Sequence, residues 1–346
     1  MTPAGLLVDS QGRRLRDLRV SVTDRCNLRC LYCLPESEAG QSHIRQQGPS
    51  KPPQWLPKDQ ILSFEEIERV VRVGVRLGIQ KVRLTGGEPL LRTNVEQLVA
   101  RLAGIPDLAD LAMTTNGLQF RSQAPALRAA GLRRVSFSLD TLARDSFRRI
   151  TGWDGLEEVL AGIGLAQELG LQPVKVNAVI IRGLNEGEVE TLADFANGRG
   201  VSLRFIEFMP LDSAHAWLKE KVVPGHEILA RLQARFDLRP VAGDSPSATA
   251  RRWAFADGRG EVGIIAPVTE PFCGHCNRLR LTADGKIRTC LFSVSEHDLR
   301  SRLRDDTSDE ALAEWLKGVV WQKETGHQIG EPEFVAPSRS VIRVGG

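Results

Sequence analysis

No stretch of this sequence approaches the ~18 consecutive apolar residues of a membrane-spanning helix. Its opening residues, MTPAGLLVDSQGRR, lack the apolar core of a signal peptide. Both absences make the cytosol the expected compartment, with no membrane partner. Neither sign of charge is in excess: 46 Lys and Arg stand against 43 Asp and Glu, a net of +3. Such a balance argues against a nucleic-acid coat or a membrane surface as a partner. No short-period repeat is present. Tyrosine occurs once, as Tyr32, and cysteine only six times in 346 residues. In a reducing cytosol such cysteines are thiols, metal ligands or redox groups. Here they fall into two sets of three, Cys26, Cys30, Cys33 and Cys273, Cys276, Cys290. Scattered structural cysteines do not usually cluster in this way.

What is present is a repeating order. Apolar residues make up 42% of the chain, enough for one large domain or two ordinary ones. Six β-rich runs recur: Leu18–Asp24, Gln80–Thr85, Leu108–Thr115, Arg133–Asp140, Pro173–Arg182 and Val201–Phe208. Amphipathic helical segments lie between them, among them Ser63–Leu77, Val95–Leu102, Gly155–Leu169 and Glu186–Asn197. Successive β-then-α units predict an α/β fold with a parallel sheet and helices outside. Right-handed crossovers would curl about six units into a partial, open βα barrel. The Pro-, Gln-, Ser- and Gly-rich stretch Glu36–Lys58 reads as a long exposed loop.

The pattern changes after about residue 215. A helix is predicted over Gly225–Phe236, and a polar linker over Ala242–Ala250. Short strands follow near Ala254, Gly263–Ala266 and Leu279–Thr282, the last turning at Asp284-Gly285 into Lys286–Thr289. Helices near Glu296–Arg304 and Asp309–Glu324 precede a non-helical tail ending Gly345-Gly346. These features predict a barrel over residues 1–220 and a smaller α+β domain over 221–346.

Strand alternation assigns faces. Leu18, Val20 and Val22 oppose Arg19, Ser21 and Thr23. Val82 and Leu84 oppose Lys81, Arg83 and Thr85. Val135, Phe137 and Leu139 oppose Ser136, Ser138 and Asp140, while Lys175, Asn177 and Arg204 fall on the polar face of their strands. The apolar face must lie under the helices, so the polar face looks inward. Five cations, Arg19, Lys81, Arg83, Lys175 and Arg204, would then point into the barrel. Unpaired buried charges are costly. Salt bridges to Asp24, Asp140 or Glu207 would neutralise some of them. A multiply charged phosphate ligand accounts better for the whole set.

Cys26-Asn-Leu-Arg-Cys30-Leu-Tyr-Cys33 follows the first strand directly, on the rim where barrel enzymes place their chemistry. Three thiolates on one loop can hold three irons of a [4Fe–4S] cluster and leave the fourth iron open. Zinc would want a fourth close ligand, and the loop offers none, His43 lying in the Pro-rich stretch. The C-x3-C-x2-C spacing resembles the radical S-adenosylmethionine (SAM) superfamily. That resemblance implies a cluster whose open iron chelates SAM and whose electron cleaves it to an adenosyl radical. Gly86-Gly87-Glu88-Pro89, one βα unit later, matches the superfamily's motif for the methionine amine, though alone it would suit any tight turn. Tyr32 matches an aromatic placed near adenine, with simple packing as the alternative. For the second set, Cys273-Gly-His-Cys276 with Cys290, the residues alone leave a Cys3His zinc site through His275 and a second cluster equally open.

Over nearly its whole length the chain resembles the molybdenum cofactor biosynthesis protein A family, the GTP 3′,8-cyclases. The match rests on Asp17–Cys26, Arg83–Pro89, Thr114–Gly117, Ser138–Asp140, Lys175–Asn177, Arg204–Met209, Cys276–Arg280 and Gly345-Gly346. The resemblance implies two [4Fe–4S] clusters, the second one meeting the guanine of GTP. It implies GTP contacts at Arg19, Lys81, Arg83, Thr114, Lys175, Arg204, Arg278 and Arg280, and SAM contacts at Tyr32, Gly87, Ser138 and Met209. Arg278 and Arg280, with Gly345 and Gly346, are expected to take part in catalysis. The tail would bring backbone amides and a carboxylate to the ligand. The implied partners are an electron-donor protein and a hand-over of product to cyclic pyranopterin monophosphate synthase, the enzyme acting either as a monomer or as a homodimer. Two rivals make different demands. A radical SAM peptide or RNA modifier needs no five inward cations, and a zinc-ribbon binding module would have no affinity for SAM.

Overall fold

A computed structural model of the chain describes residues 5–33, 55–211, 217–243, 245–337, 339 and 341–345. One twelve-stranded sheet organises them, in the order β12-β11-β10-β1-β2-β3-β4-β5-β6-β9-β8-β7. The strands are β1 Asp17–Ser21, β2 Lys81–Thr85, β3 Asp110–Thr115, β4 Arg134–Ser138, β5 Lys175–Ile180, β6 Ser202–Glu207, β7 Leu238–Val241, β8 Arg251–Phe255, β9 Glu261–Ile265, β10 Arg278–Leu281, β11 Lys286–Arg288 and β12 His297–Asp298. From β10 through β1–β6 to β9 every pairing is parallel. This is an α/β fold with a parallel-rich sheet.

The parallel run is longer than the six predicted units because the later part of the chain extends it at both ends. β10 pairs with β1, and β9 pairs with β6. Antiparallel β11–β12 and β8–β7 complete the edges. The second cysteine set is thereby placed beside the first strand rather than at a distance from it.

The crossover helices are α1 Phe64–Arg76, α2 Val95–Ala103, α3 Phe120–Ala129, α4 Arg144–Thr151, α5 Leu156–Glu168 and α6 Val189–Arg199. Later helices are α7 Gly225–Arg235, α8 Arg300–Arg304, α9 Asp309–Trp321 and α10 Val341–Val344. The entry to α1 is fixed by a reciprocal cap. The Glu66 amide donates to Ser63 Oγ, and the Ser63 amide donates to the Glu66 carboxylate. Under the helices the apolar strand face is fully buried: Val20, Val82, Leu84, Phe137, Val176 and Phe205. About 25 cal/mol per Å2 of apolar surface removed from water drives that packing.

Two local expectations change. His297–Asp298 form an edge strand where a helix was expected from Glu296, so that helix starts only at Arg300. The tail is not non-helical throughout, because Val341–Val344 close a short helical turn. Ile342 and Val344 are buried, and burial of these two side chains is what folds the turn down onto the sheet. No helix among the described residues is long and apolar enough to cross a membrane.

Candidate functional site

One cavity of about 790 Å3 opens on the polar face of the sheet. All six cysteines line it. So do Arg19, Lys81, Arg83, Thr114, Lys175, Arg204, Arg278 and Arg280, and with them Tyr32, Gly87, Ser138 and Met209. Residues drawn from the whole length of the chain therefore face one space.

The first set of cysteines hangs on the loop after β1. That loop is held against the C-terminus of α4, where the Arg29 amide donates to the Thr151 carbonyl and the Leu31 amide to that of Ile150, each at 2.9 Å. The Cys33 amide donates back to the Cys30 carbonyl, so the loop is a turn and the thiols can converge. Gly86 and Gly87 press against it. Gly86 has φ +151°, and a Cβ there would lie 2.5 Å from the Thr23 carbonyl oxygen. A Cβ on Gly87 would lie 2.3 Å from that of Arg25. Only glycine permits this contact between the two rim loops.

Glu88 is buried beneath the rim. It accepts from Thr115 Oγ1 at 2.7 Å and from the amides of Asn116 and Leu90 at 2.7 and 3.0 Å. Burial pushes its carboxyl up to about 7. Tyr32 donates to Asp140 Oδ2 at 2.5 Å, and burial pushes Asp140 up to about 6. Burial also raises the Cys26 thiol to about 11, with Glu88 adding to the rise, and it raises Cys30 well above the usual thiol range. Burial therefore dominates the surroundings of the first set, with Glu88 and Arg29 acting on Cys26 in opposite directions.

The second set lies in different surroundings. Cys273 begins a 3-10 turn, and the Cys276 amide closes it on the Cys273 carbonyl at 3.0 Å. Cys290 follows β11, as the Asp284-Gly285 hairpin requires, with Gly285 at φ +76°. Arg278 Nη2 donates to Cys276 Sγ at 3.3 Å and lies over the Phe272 ring. Burial acts to raise the Cys276 thiol, but Arg278 and Lys323 outweigh it and bring it down to about 7. Arg13, itself paired with Asp9 at 2.5 Å, donates to the carbonyls of Cys273, Thr325 and Glu324 at 2.8, 3.0 and 2.5 Å.

Between the two sets lie the inward cations. Register puts Arg19 beside both Arg83 and Arg280, and Lys175 beside Ser136 and Ser202. Asp24, Asp140 and Glu207 do not neutralise these groups. Asp24 accepts the Leu56 amide, Asp140 holds Tyr32, and Glu207 accepts the amides of Gly225, Val268 and Thr269. The countercharges come from other residues. Asp17 pairs with Lys81 at 2.8 Å, and Glu261 pairs with Arg204 at 2.6 Å. Among the described residues Arg83 donates only to hydroxyls, Thr114 Oγ1 at 3.0 Å and Ser136 Oγ at 2.9 Å. Lys175 has no ion pair among the described residues. Burial, and then Arg204, Arg134 and Arg83, push its amine down to about 7. Gly263 leaves the room that Arg204 occupies, since a Cβ there would lie 2.5 Å from Arg204 Nη1.

The tail enters the same space. Arg339 pairs with Asp284 and Glu296 at 2.9 Å each, and the Val341 amide donates to the Leu211 carbonyl at 3.1 Å. Gly345 then sits at φ +71°, with its Cα beside Thr85 and Ser21, and its carbonyl accepts from Arg280 Nη1. Gly346 lies outside the described residues, as do His43 and most of the Glu36–Lys58 loop.

This lining suits a polyanion bound between two cysteine sites. Arg19 Nε and Asp17 Oδ1 are buried without a hydrogen-bond partner, and both residues line the cavity. A polar ligand would satisfy them. Among the described residues no group of three His, Cys, Asp or Glu side chains is arranged around a single metal ion. Three thiols brought together by one turn suit a [4Fe–4S] cluster, which would offer each thiolate its own iron.

One lining residue and several that hold the site from behind were missed by the sequence reading. Arg134 shares a strand face with Ser136, so alternation could have found it. Glu261, Arg13 and Lys323 carry no motif, and only the sheet pairings and chain packing bring them in.

Comparison with known proteins agrees with this geometry. Residues 20–196 match the family model described as Radical SAM superfamily, and residues 201–329 match Molybdenum Cofactor Synthesis C. The chain is 45% identical over 345 residues to the GTP 3′,8-cyclase of Streptomyces coelicolor, covering 99% of this chain and 97% of that protein. It is 49% identical over 305 residues to that of Acidothermus cellulolyticus, covering 88% and 82%. In fold it is similar to Streptococcus suis SuiB bound to the precursor peptide SuiA, with TM-score 0.62 and 13% identity, covering 92% of this chain and 70% of that one. Full-length identity at this level, with both halves of the chain matched, means that the chain belongs to the GTP 3′,8-cyclase family of the radical SAM superfamily.

Proposed function

We propose that the cavity binds GTP between two [4Fe–4S] clusters and closes it to 3′,8-cyclo-7,8-dihydro-GTP, the first step of molybdenum cofactor biosynthesis. The observation that carries this reading is the shared cavity: both cysteine sets face it, with a band of cations between them. Cys26, Cys30 and Cys33 would hold the cluster that binds SAM, and Cys273, Cys276 and Cys290 the one nearest the guanine. Bound there, the first cluster and SAM supply a one-electron source and an adenosyl radical.

The protein's own contribution is binding, orientation and exclusion of water. Arg19, Lys81, Arg83, Lys175 and Arg204 would hold the triphosphate, with Thr114 beside them. Lys175 needs a proton to do so, and an arriving phosphate favours its charged form. Tyr32, Gly87, Ser138 and Met209 would seat SAM. Arg278 and Arg280 would face the base, and Arg280 would also aim the tail through the Gly345 carbonyl. The sheet would curl into a partial barrel, since Arg280 on β10 and Arg204 on β6 line one cavity although six strand spacings of ~4.8 Å separate them along the sheet. Residues 1–220 would carry the radical chemistry and 221–346 the base-facing site. We place the enzyme in the cytosol, supplied by an electron-donor protein and handing its product to cyclic pyranopterin monophosphate synthase.

The test is anaerobic reconstitution with iron and sulfide, followed by turnover with SAM and a reductant, with and without GTP. Formation of 5′-deoxyadenosine together with a cyclised guanosine triphosphate is the expected result. SAM cleavage that yields no cyclised nucleotide would overturn the reading.

A further inference from the structure

Lys323 follows α9 and is 4% exposed. Its ammonium donates to two backbone carbonyls, Arg278 at 3.2 Å and Thr289. These carbonyls belong to the two arms of the second cysteine site, since Arg278 lies two residues after Cys276 and Thr289 directly precedes Cys290. No carboxylate among the described residues pairs with Lys323. Its neighbour Glu324 turns instead to Thr289 Oγ1, at 2.7 Å. The contrast with Arg13 is direct. Arg13 also clamps carbonyls of this region, but Asp9 neutralises it at 2.5 Å.

A buried cation without a counter-ion costs several kcal/mol unless something nearby is negative. The negative charges at hand are the thiolate set and, beside Cys290, the Glu324 carboxylate, which is already engaged by Thr289 Oγ1. A cation held beside an iron–sulfur cluster favours the more negative, reduced state, and net charge and hydrogen bonding are the protein's means of setting cluster potential. We infer that Lys323 is the built-in counter-charge of the second cysteine site: a positioning residue that joins its two arms and raises the reduction potential of the cluster bound there, leaving the first cluster unchanged. This rests on the assignment of Cys273, Cys276 and Cys290 to a cluster. The step concerned is the transfer of one electron from an external one-electron reductant to the oxidised cluster. No bond forms or breaks, and no proton moves.

The experiment is a dithionite titration, followed by electron paramagnetic resonance, of the reconstituted full chain and of Lys323→Arg and Lys323→Gln. Arginine keeps the charge, and glutamine keeps a donor but loses the charge. We expect the arginine variant to match the wild type. In the glutamine variant the second cluster should lose at least tenfold in its equilibrium constant for reduction, about 59 mV for one electron, or fail to assemble, while the first cluster titrates unchanged. Glutamine behaving as wild type, or arginine and glutamine behaving alike, would overturn the inference. A wild-type protein holding about four irons per chain rather than about eight would instead overturn the cluster assignment on which it rests.

Discussion

The two cysteine sets face one cavity from unlike surroundings. The first lies over buried carboxyl groups, Glu88 acting on Cys26 and Asp140 on Cys30, with the Arg29 cation opposing Glu88 at Cys26. The second lies nearer cations, with Arg278 hydrogen-bonded to Cys276 and Lys323 bound to both arms, although burial and Glu324 still raise the Cys290 thiol. A site that must deliver a strongly reducing electron gains from anionic surroundings, which resist reduction of the resting cluster. A site that meets an electron-rich base and its triphosphate gains from cationic ones. Under the proposed assignment, the same ligand type, three thiols, would be set to different tasks by the charges around it.

Removing one thiol from each set should produce the largest effects, and different ones. Cys26→Ser is expected to abolish SAM cleavage. Cys273→Ser should keep the first cluster and SAM cleavage, with iron falling from about eight to about four per chain and cyclisation lost. Iron analysis together with 5′-deoxyadenosine and product assays distinguishes the two. If both substitutions abolish SAM cleavage alike, the division of labour fails.

Disturbing the tail comes next. Gly345 needs positive φ, and a Cβ there would meet Thr85 Cγ2 at 3.0 Å. Gly345→Val, or deletion of both terminal glycines, should leave folding and iron content intact. Cyclisation should fall about 100-fold, the scale of a misplaced contact at a reacting centre. A deletion variant with wild-type turnover would show that the tail only fills space.

Phosphate-facing cations should give intermediate losses. Lys175→Ala and Arg204→Ala are each expected to weaken GTP binding by about 1.5–3 kcal/mol, the range for a charge-assisted contact, while SAM affinity changes little. Lys175 also predicts a pH dependence. Its amine sits near 7 without ligand, and phosphate binding raises that value. GTP affinity should therefore be constant below about pH 7 and weaken as pH rises above it. Calorimetry across that range should show proton uptake on binding, and Lys175→Arg should flatten the profile. Equal losses of GTP and SAM affinity would mean the sheet itself was damaged.

The smallest expected effect tests the first site alone. Tyr32→Phe removes the hydrogen bond to Asp140, worth about 0.5–1.5 kcal/mol. SAM affinity should fall several-fold while GTP affinity is unchanged. A matching loss of GTP affinity would show that the two ends of the cavity are not independent.

Much of this was legible in the residues themselves, because local rules apply to them. Period-two alternation identified the inward faces of β1, β2, β4, β5 and β6, and the βα order gave the parallel sheet. The spacing of Cys26, Cys30 and Cys33 after a strand marked the rim, and Asp284-Gly285 marked the hairpin that brings Cys290 round. These signals hold because side-chain direction and turn geometry depend on a few neighbouring residues. Only the tertiary structure decided the rest. β10 and β9 join opposite ends of the parallel run, placing Arg280 beside Arg19 and Glu261 beside Arg204, although each pair is separated by dozens to hundreds of residues. Asp17 and Glu261, not Asp24, Asp140 or Glu207, pair with Lys81 and Arg204. Lys323 reaches the second cysteine site from the end of a helix with no motif to announce it. Pairing at such distances depends on which surfaces bury each other, and burial is a property of the whole packed chain, not of any window of its sequence.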